Sequence, residues 1–239
     1  MRKLPVYVWT SNQLNCCLPA HAYLFNKFWP IETDVKILGY DVPNISLPDN
    51  FEFISLGEQR GPDFWSDDMI KFFSECTDDY FYFPTEDQVI LDKVDIEIFN
   101  LAVDLFESGL HSNLIRFCLA KNMCKWPHNI VKDYGDFQLI ERIQNTHYRN
   151  SLHASIWHRK NFLKQLKPGM SPWSFELSTG RENNMKVLGT KGKYGLTIGH
   201  GYKRGKKLKN WYKCNNGTSV TLNDEDFKLI EKNNWMPSI

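Results

Sequence analysis

The sequence lacks the features that mark several familiar classes of protein. No apolar run in its 239 residues approaches the ~20 consecutive residues needed to span a bilayer, and residues 1–5 form no apolar signal segment. Six cysteines are scattered, without a C-x-x-C pair or a histidine at zinc-finger spacing. This argues against a structural zinc site and against a disulfide scaffold. We therefore expect a cytoplasmic protein with no membrane partner and no disulfide partner.

Several catalytic motifs are also missing. The sequence contains no G-x-x-x-x-G-K-[ST], no G-x-S-x-G and no H-E-x-x-H. Gly199, Gly201 and Gly205 follow a G-x-G-x-x-x-G spacing, which misses the dinucleotide fingerprint by one position and falls late in the chain. A Rossmann oxidoreductase is therefore disfavoured.

The near-neutral net charge of +1 hides an asymmetry. Residues 183–223 contain nine basic residues and no acidic one, so the remainder carries 20 basic and 28 acidic residues, a balance of −8. Such a positive stretch suits a phosphate-bearing partner, although a solvated lysine-rich surface would read the same way. Tyr202 and Trp211 lie among these charges, where they could stack on nucleic-acid bases or pack in the core.

Short apolar runs that end at polar residues alternate with amphipathic segments. The pattern predicts strands at 5–9, 35–39, 51–55, 79–83, 113–120 and 151–157, and helices at 19–28, 69–75, 95–106 and 160–166. With 42% hydrophobic residues the chain can bury a sizeable core. We expect one α/β domain, a mostly parallel central sheet sandwiched by helices, with a basic C-terminal extension.

Polar residues follow the predicted strands, at the ends where ligands bind in parallel sheets. They are Thr10, Ser11, Asn12, Asp41, Glu86 and Asp87. Glu86 and Asp87 are adjacent carboxylates, which together with substrate phosphates could bind Mg²⁺ or Mn²⁺. A helix cap or a solvated turn is the alternative for this pair.

Two further features could carry chemistry. Glu176 stands between aromatic residues in Ser171-Pro-Trp-Ser-Phe-Glu176, and desolvation there would make it a general base, whereas a helix start beside core aromatics would make it structural. His200, flanked by glycines, could offer an imidazole to a metal-diphosphate or could simply be exposed.

The predicted strands, helices and polar motifs, in their order along the chain, resemble the GT-A glycosyltransferase fold over roughly residues 4–210. Thr10-Ser-Asn12, the Asp41 turn, Trp65-Ser-Asp-Asp68 and the strand into Glu86-Asp87 resemble its nucleotide-sugar half, about residues 1–110. Residues 151–157, 171–176 and the loop 199–206 resemble its acceptor half and closing loop, about residues 111–239. The chain looks like a compact version of the sort found in viruses and bacteria.

The resemblance implies a role for each matched residue. The family's D-x-D motif reads Thr85-Glu86-Asp87 here, so only its last Asp is matched. Asp87 and His200 would bind Mn²⁺ or Mg²⁺, and Glu176 would be the base of an inverting transfer; without that base a retaining mechanism is the alternative. The donor, most simply a UDP-sugar, would contact Thr10, Ser11, Asn12, Asp41, Trp65, Asp68, Glu86, Asp87, Lys203, Arg204 and Lys206. The acceptor would contact Trp173, Tyr202 and Trp211.

The basic stretch favours hydroxymethylated pyrimidines in double-stranded viral DNA as acceptor, because a DNA-modifying enzyme needs phosphate contacts and an aromatic pocket. A glycan or polysaccharide acceptor is the alternative. From another class, the chain could be a non-catalytic module that binds nucleic acid or sugar. A metal-dependent nuclease fits less well, since Lys93 is the one lysine close to Glu86 and Asp87.

Overall fold

The computed structural model describes residues 3–109, 112–178, 184–203, 206–213 and 220–237, without the side chains of residues 122, 123 and 178. The strands in these ranges are β1 (Val6–Trp9), β2 (Val35–Gly39), β3 (Phe51–Ser55), β4 (Tyr80–Tyr82), β5 (Gln88–Ile90), β6 (Leu114–Cys118), β7 (His128–Asp133), β8 (Gln138–Arg142), β9 (Ser155–His158), β10 (Lys186–Lys191), β11 (Ile198–His200), β12 (Tyr202–Lys203) and β13 (Lys206–Lys207). The α-helices are α1 (Leu18–Phe28), α2 (Trp65–Glu75), α3 (Ile96–Glu107), α4 (Arg159–Gln165), α5 (Pro172–Ser178) and α6 (Asp224–Lys232). None of these helices is both long enough and apolar enough to cross a membrane.

Nine strands form one central sheet in the order β3-β2-β1-β4-β9-β6-β10-β8-β7. β9 and β8 pair antiparallel with their neighbours, and the other seven strands run in one direction. The predicted α/β fold with a mostly parallel sheet is therefore confirmed. β5 pairs with β11, and β12 with β13, in two small antiparallel ribbons outside the sheet.

Helices cover both faces of the sheet because its strands alternate apolar side chains between the faces. In β1, Val6 and Val8 pack with the buried residues of α1 and α3, whereas Tyr7 packs with those of α2, α4 and α5. Asp95 caps α3, since its carboxylate accepts hydrogen bonds from the backbone N–H groups of Glu97 and Ile98. A third cluster packs the outer side of α1 against the C-terminal residues, including Ile230 of α6.

The structure does not show the predicted basic C-terminal extension as a separate part. Residues 186–191 form β10, which lies inside the sheet between β6 and β8 and buries Val187 and Leu188 completely. Three lysines of the basic stretch form ion pairs with acidic residues outside it: Lys186 with Glu141, Lys193 with Asp95 and Glu97, and Lys207 with Glu231. These partners reduce the local positive field that the composition suggested.

Candidate functional site

The loops that follow β1 and β4 lie side by side at the carboxyl edge of the sheet. The N–H of Trp9 donates to the carbonyl of Pro84 (3.1 Å), and the N–H of Glu86 donates to the carbonyl of Trp9 (3.1 Å). Strand order reverses here, because β1 has β2 on one side and β4 on the other. Open α/β sheets bind their ligands at this switch point, so its side chains define the candidate site.

On the β1 side, Asn12 and Asp41 hold each other. The Asn12 carboxamide donates to the Asp41 carboxylate (2.6 Å), and the Asp41 N–H donates back to the Asn12 carbonyl oxygen (2.9 Å). Asp41 is exposed and Ser11 and Asn12 are half-buried, so these polar groups face solvent at the edge. Thr10 is fully buried, and its hydroxyl donates to the Asn15 carboxamide oxygen (3.1 Å), which shapes the loop.

Trp65 and Asp68 support this edge from beneath. Trp65 is 1% exposed and its ring packs edge-on against those of Trp9 and Phe175, so it has no free surface for a nucleotide sugar. Asp68 is also buried, and its carboxylate accepts hydrogen bonds from Arg60 (2.6 Å) and from the Tyr40 hydroxyl (3.1 Å). The burial of Trp65 and Asp68 does not fit their predicted direct contact with a nucleotide-sugar donor.

The two adjacent carboxylates after β4 point in different directions. Glu86 is 1% exposed, and its Oε2 has no hydrogen-bond partner among the described residues. Burial, and then the nearby charge of Asp87, raises the pKa of Glu86 well above its ordinary value, which favours the protonated acid. Asp87 is half-buried, and its carboxylate accepts a hydrogen bond from the Thr85 hydroxyl (2.7 Å). Only Asp87 of the pair is therefore placed to meet a ligand.

The ribbon of β5 and β11 carries His200 to this place. Gln88 and His200 are paired across the ribbon, and the N–H of Gly201 donates to the Asp87 carbonyl (2.8 Å). Nε2 of His200 lies 2.9 Å from Nε2 of His153, in the turn before β9. Burial lowers the pKa of both imidazoles, although the charges of Asp87 and Glu176 oppose this at His200. The two imidazoles therefore face each other beside Asp87, where burial disfavours their charged forms.

Sequence reasoning missed His153. Its one available signal was its position in Leu152-His-Ala154, just before a predicted buried strand.

Glu176 lies in α5, close enough to oppose the pKa depression of His200 by its charge. Its Oε1 accepts hydrogen bonds from the Ser151 hydroxyl (2.9 Å) and from the Leu152 N–H (2.7 Å). Trp173, one turn away, has 64% of its surface exposed. The carboxylate is thus held by polar donors, with an exposed aromatic ring nearby, rather than enclosed by aromatics as the sequence suggested.

A buried guanidinium underlies the same region. Arg116 of β6 is 1% exposed and donates twice to the Arg149 carbonyl (3.2 and 3.1 Å) and once to the Ser155 hydroxyl (2.8 Å). The pairing of β6 with β10 is irregular beside it, between Lys186 and Val187. Burial lowers the pKa of Arg116, and the charges of Cys118 and Glu176 oppose the shift. Nothing in the local sequence marked this arginine as buried.

The predicted residues of the basic loop divide into two groups. Lys203 and Lys206 are exposed and pair with each other across the ribbon of β12 and β13, whereas Arg204 lies outside the described residues. Tyr202 is 6% exposed, with its hydroxyl donating to the carbonyl of Pro237, and Trp211 is 1% exposed. The burial of both rings in the C-terminal cluster does not support their predicted contact with an acceptor.

The fit of a metal ion to these residues is partial. Across the part of the chain that the structure describes, no three His, Cys, Asp or Glu side chains are arranged to hold one ion. Imidazole is a common ligand for divalent transition metals, but Nε2 of His153 and Nε2 of His200 are hydrogen-bonded to each other (2.9 Å). An ion bound by His200 would have to replace this hydrogen bond, and of the two adjacent carboxylates only Asp87 is placed to be a ligand beside it.

A separate groove of about 930 Å³ lies between α1, residues 45–48 and residues 233–235. Tyr23 and Trp235 line it with their rings 5.7 Å apart, and Lys27 at its edge is paired with Asp226. Cys16 also lines the groove, shortly after the Ser11-Asn12 loop. The residues that line this groove include none of the candidate site residues named above.

No protein-family model matches the chain, and no curated protein matches it. Solved structures that align with it include A197 from STIV, at 12% identity, covering 92% of this chain and 95% of that one, with a TM-score of 0.44. HddC from Yersinia pseudotuberculosis aligns at 9% identity, over 82% and 93%, with a TM-score of 0.45. An active-site mutant of LgtC aligns at 11% identity, over 67% and 59%, with a TM-score of 0.39. At these identities and TM-scores the alignments assign no family to the chain.

Proposed function

We propose that the chain is a glycosyltransferase that moves a sugar from a nucleotide-sugar donor, a UDP-sugar in the simplest case, to a hydroxyl acceptor. The observation that carries the proposal is the meeting of Asp87, His153, His200 and Glu176 at the carboxyl edge of the sheet, beside its switch point. A carboxylate base beside groups suited to a diphosphate is what a direct displacement at a sugar carbon requires.

The proposed transfer is inverting. The Glu176 carboxylate takes the proton of the acceptor hydroxyl, and that oxygen forms a bond to the anomeric carbon. The bond from this carbon to the phosphate oxygen breaks, and its electron pair leaves with the nucleoside diphosphate. The exposed ammonium groups of Lys203 and Lys206, and Arg204 beside them in sequence, would offset the charge on the leaving group. A bound Mn²⁺ or Mg²⁺ would neutralise the same charge, with Asp87 and His200 as its predicted ligands.

The donor's nucleoside would rest on the β1 side of the edge. Ser11, Asn12 and Asp41 present hydroxyl, amide and carboxylate groups there, which suit a ribose and a base. Four of the predicted donor-binding residues are buried and would act indirectly, by holding the loops of this edge in place: Thr10, Trp65, Asp68 and Glu86.

The acceptor we favour is a hydroxymethylated pyrimidine in DNA, with the exposed ring of Trp173 as a stacking surface. The ion pairs of Lys186, Lys193 and Lys207 favour the alternative, a glycan acceptor, because they weaken the field that would attract DNA.

The test is a transfer assay. Purified protein is incubated with a panel of nucleotide sugars and Mn²⁺, with and without duplex DNA containing 5-hydroxymethylcytosine or 5-hydroxymethyluracil, and nucleosides are read by mass spectrometry. A hexose- or pentose-sized gain in mass supports the DNA acceptor. Donor turnover without DNA modification moves the acceptor to glycans. No turnover with any donor refutes the enzyme and favours the non-catalytic binding module.

Glu176→Gln is the matched variant, because its carbonyl oxygen still accepts the bonds from Ser151 and Leu152 while the base is lost. We expect transfer to fall by about 10²–10⁴-fold with donor affinity unchanged. Glu52→Gln, an exposed change on β3, should transfer like the wild type. Full activity in Glu176→Gln would remove the proposed base.

A further inference from the structure

The strand β7 lies at one edge of the central sheet, and its outer side is open. β8 pairs with it on one side, and among the described residues no strand pairs with it on the other. Every residue of β7 except His128 is exposed, including the apolar Ile130 (56%) and Val131 (44%). An edge strand with exposed apolar side chains is a template on which a further strand can pair.

The backbone groups that β7 turns outward follow from the bonds at its two ends. The Pro127 carbonyl accepts from, and the Tyr134 N–H donates to, residues that flank β8 (3.2 and 2.9 Å), so both of these groups point inward. The direction alternates from one residue to the next along an antiparallel strand. The backbone groups of His128, next to Pro127, and of Asp133, next to Tyr134, therefore point outward.

A bulge brings the two ends of the strand into step. The pairing with β8 shifts its register between Ile130 and Lys132, so Val131 is an extra residue in β7. Bulges often protect an edge from further pairing. Here the extra residue lets His128 and Asp133 both turn outward. Their side chains also share one face of the sheet, because their partners on β8 are four positions apart.

The open edge is complementary to itself when a second copy of the chain lies antiparallel against it. In the register that uses all six residues of β7, the facing pairs are His128 with Asp133, Asn129 with Lys132, and Ile130 with Val131. The first pair joins outward backbone groups and sets an imidazole opposite a carboxylate. The last pair brings the two exposed apolar side chains together at the centre. No pair opposes like charges, and a two-fold axis makes each contact twice.

We infer that β7 is a dimer interface, at which a second copy of this chain pairs antiparallel and continues the sheet across a two-fold axis. Each copy contributes the same strand, so association closes at two copies. None of the candidate site residues lies on β7, and the inference stands apart from the sugar transfer proposed above.

The experiment is sedimentation velocity of the full chain without an affinity tag, in low salt and without a nucleotide sugar. Because one short strand from each copy makes a small interface, we expect a monomer–dimer equilibrium with a dissociation constant of about 1–100 µM. Ile130→Glu would bury a charge beside the axis and should weaken the dimer at least about tenfold. Val42→Glu, an exposed apolar residue (70%) on a loop, is the matched control and should dimerise like the wild type.

Asn129 gives a sharper test, because a charge there acts in opposite ways within one chain and between two copies. Within the chain Asn129 is paired with Glu141 of β8, whereas between copies it would face Lys132. Asn129→Lys should therefore weaken the dimer about three- to tenfold, although it favours the pairing of β7 with β8. Asn129→Glu should tighten the dimer by a similar factor, and adding Lys132→Glu to Asn129→Lys should restore it.

A wild-type protein that stays monomeric up to about 100 µM overturns the inference. A dimer that Ile130→Glu and Asn129→Lys leave intact also overturns it, because the copies would then meet through another surface, and so does association that continues beyond two copies. If Ile130→Glu fails to fold, the two Asn129 variants decide by the opposite signs of their effects. A dimer without sugar transfer would refute only the proposed function, and transfer by a protein that stays monomeric would refute only this inference.

Discussion

Replacement of Glu86 by glutamine should stabilise the protein at neutral pH and leave its stability unchanged in acid. The Glu86 carboxyl is 1% exposed, and its Oε2 finds no hydrogen-bond donor in the described part of the chain. In the unfolded chain the same group ionises at its ordinary pKa of 4.5, whereas burial raises its pKa in the folded protein. Glutamine has nearly the same shape and never ionises.

The direction follows from proton linkage. Below pH 4.5 the carboxyl is protonated in both states and contributes no pH dependence. As the pH rises above this value the unfolded chain releases the proton and the folded protein retains it, so stability falls until the folded-state pKa is passed. Since pH 7 lies about 2.5 units above 4.5, and each unit corresponds to 1.36 kcal/mol, the largest gain from Glu86→Gln at pH 7 is about 3 kcal/mol.

Urea unfolding of the wild type and of Glu86→Gln, followed by tryptophan fluorescence at several values between pH 4 and pH 8, measures this difference. The advantage of the variant should be near zero at pH 4 and should grow with pH. Glu58→Gln, on an exposed loop, is the control and should follow the wild type throughout. A difference in the free energy of unfolding that stays constant from pH 4 to pH 7 would refute the buried, protonated carboxyl. Weaker binding of the nucleotide sugar by Glu86→Gln would show that this residue contacts the ligand.

Two further changes test how the C-terminal part is attached. Asp226 accepts hydrogen bonds from Lys27 (2.5 and 2.6 Å) and from the Tyr23 hydroxyl (2.5 Å), so Asp226→Asn should cost about 1.5–3 kcal/mol in urea unfolding. Burial raises the pKa of Asp226, but these hydrogen-bond donors outweigh it and lower the pKa below its ordinary value. The loss of stability in Asp226→Asn should therefore be full at neutral pH and should shrink as the pH falls through the lowered pKa. An equal loss at pH 2 would contradict the ion pair. Gly199→Ala would place a methyl group 2.2 Å from the Trp211 carbonyl oxygen, so we expect a lower thermal midpoint, and an unchanged midpoint would contradict the close packing.

Local sequence patterns predicted much of the fold. Short apolar runs that end at polar residues placed β2 and β3 at their observed bounds, and an amphipathic run placed α3 within one residue of each observed end. The basic stretch does not mark a separate extension, because two of its nine basic residues, Lys186 and Lys191, stand at the ends of β10, and Val187 and Leu188 between them are buried. A charge count over residues 183–223 does not show that two of the lysines flank a buried strand.

The alternation of side chains along a strand does not predict the orientation of the two carboxylates. Trp9 and Thr85 form a bridge, so the pairing of β1 with β4 continues beyond the strand into the Glu86 N–H. Successive side chains of an extended segment point to opposite sides. Glu86 and Asp87, however, are the central residues of a turn that the Gln88 N–H closes on the Thr85 carbonyl (3.1 Å), so strand alternation does not reach them and does not separate the buried acid from the half-buried one.

The histidine pair could not be found in this way, because its members are 47 residues apart and meet through backbone contacts that no local pattern encodes. Gln88 bonds to the turn that carries His153, Gly201 bonds to Asp87, and Glu176 bonds to the N–H of Leu152. Each of these bonds joins the early part of the chain to the late part, or one late segment to another. The residues of the candidate site are therefore positioned by the same contacts that join the β5–β11 ribbon to the sheet, and a change that loosens the ribbon should lower the rate of the proposed transfer.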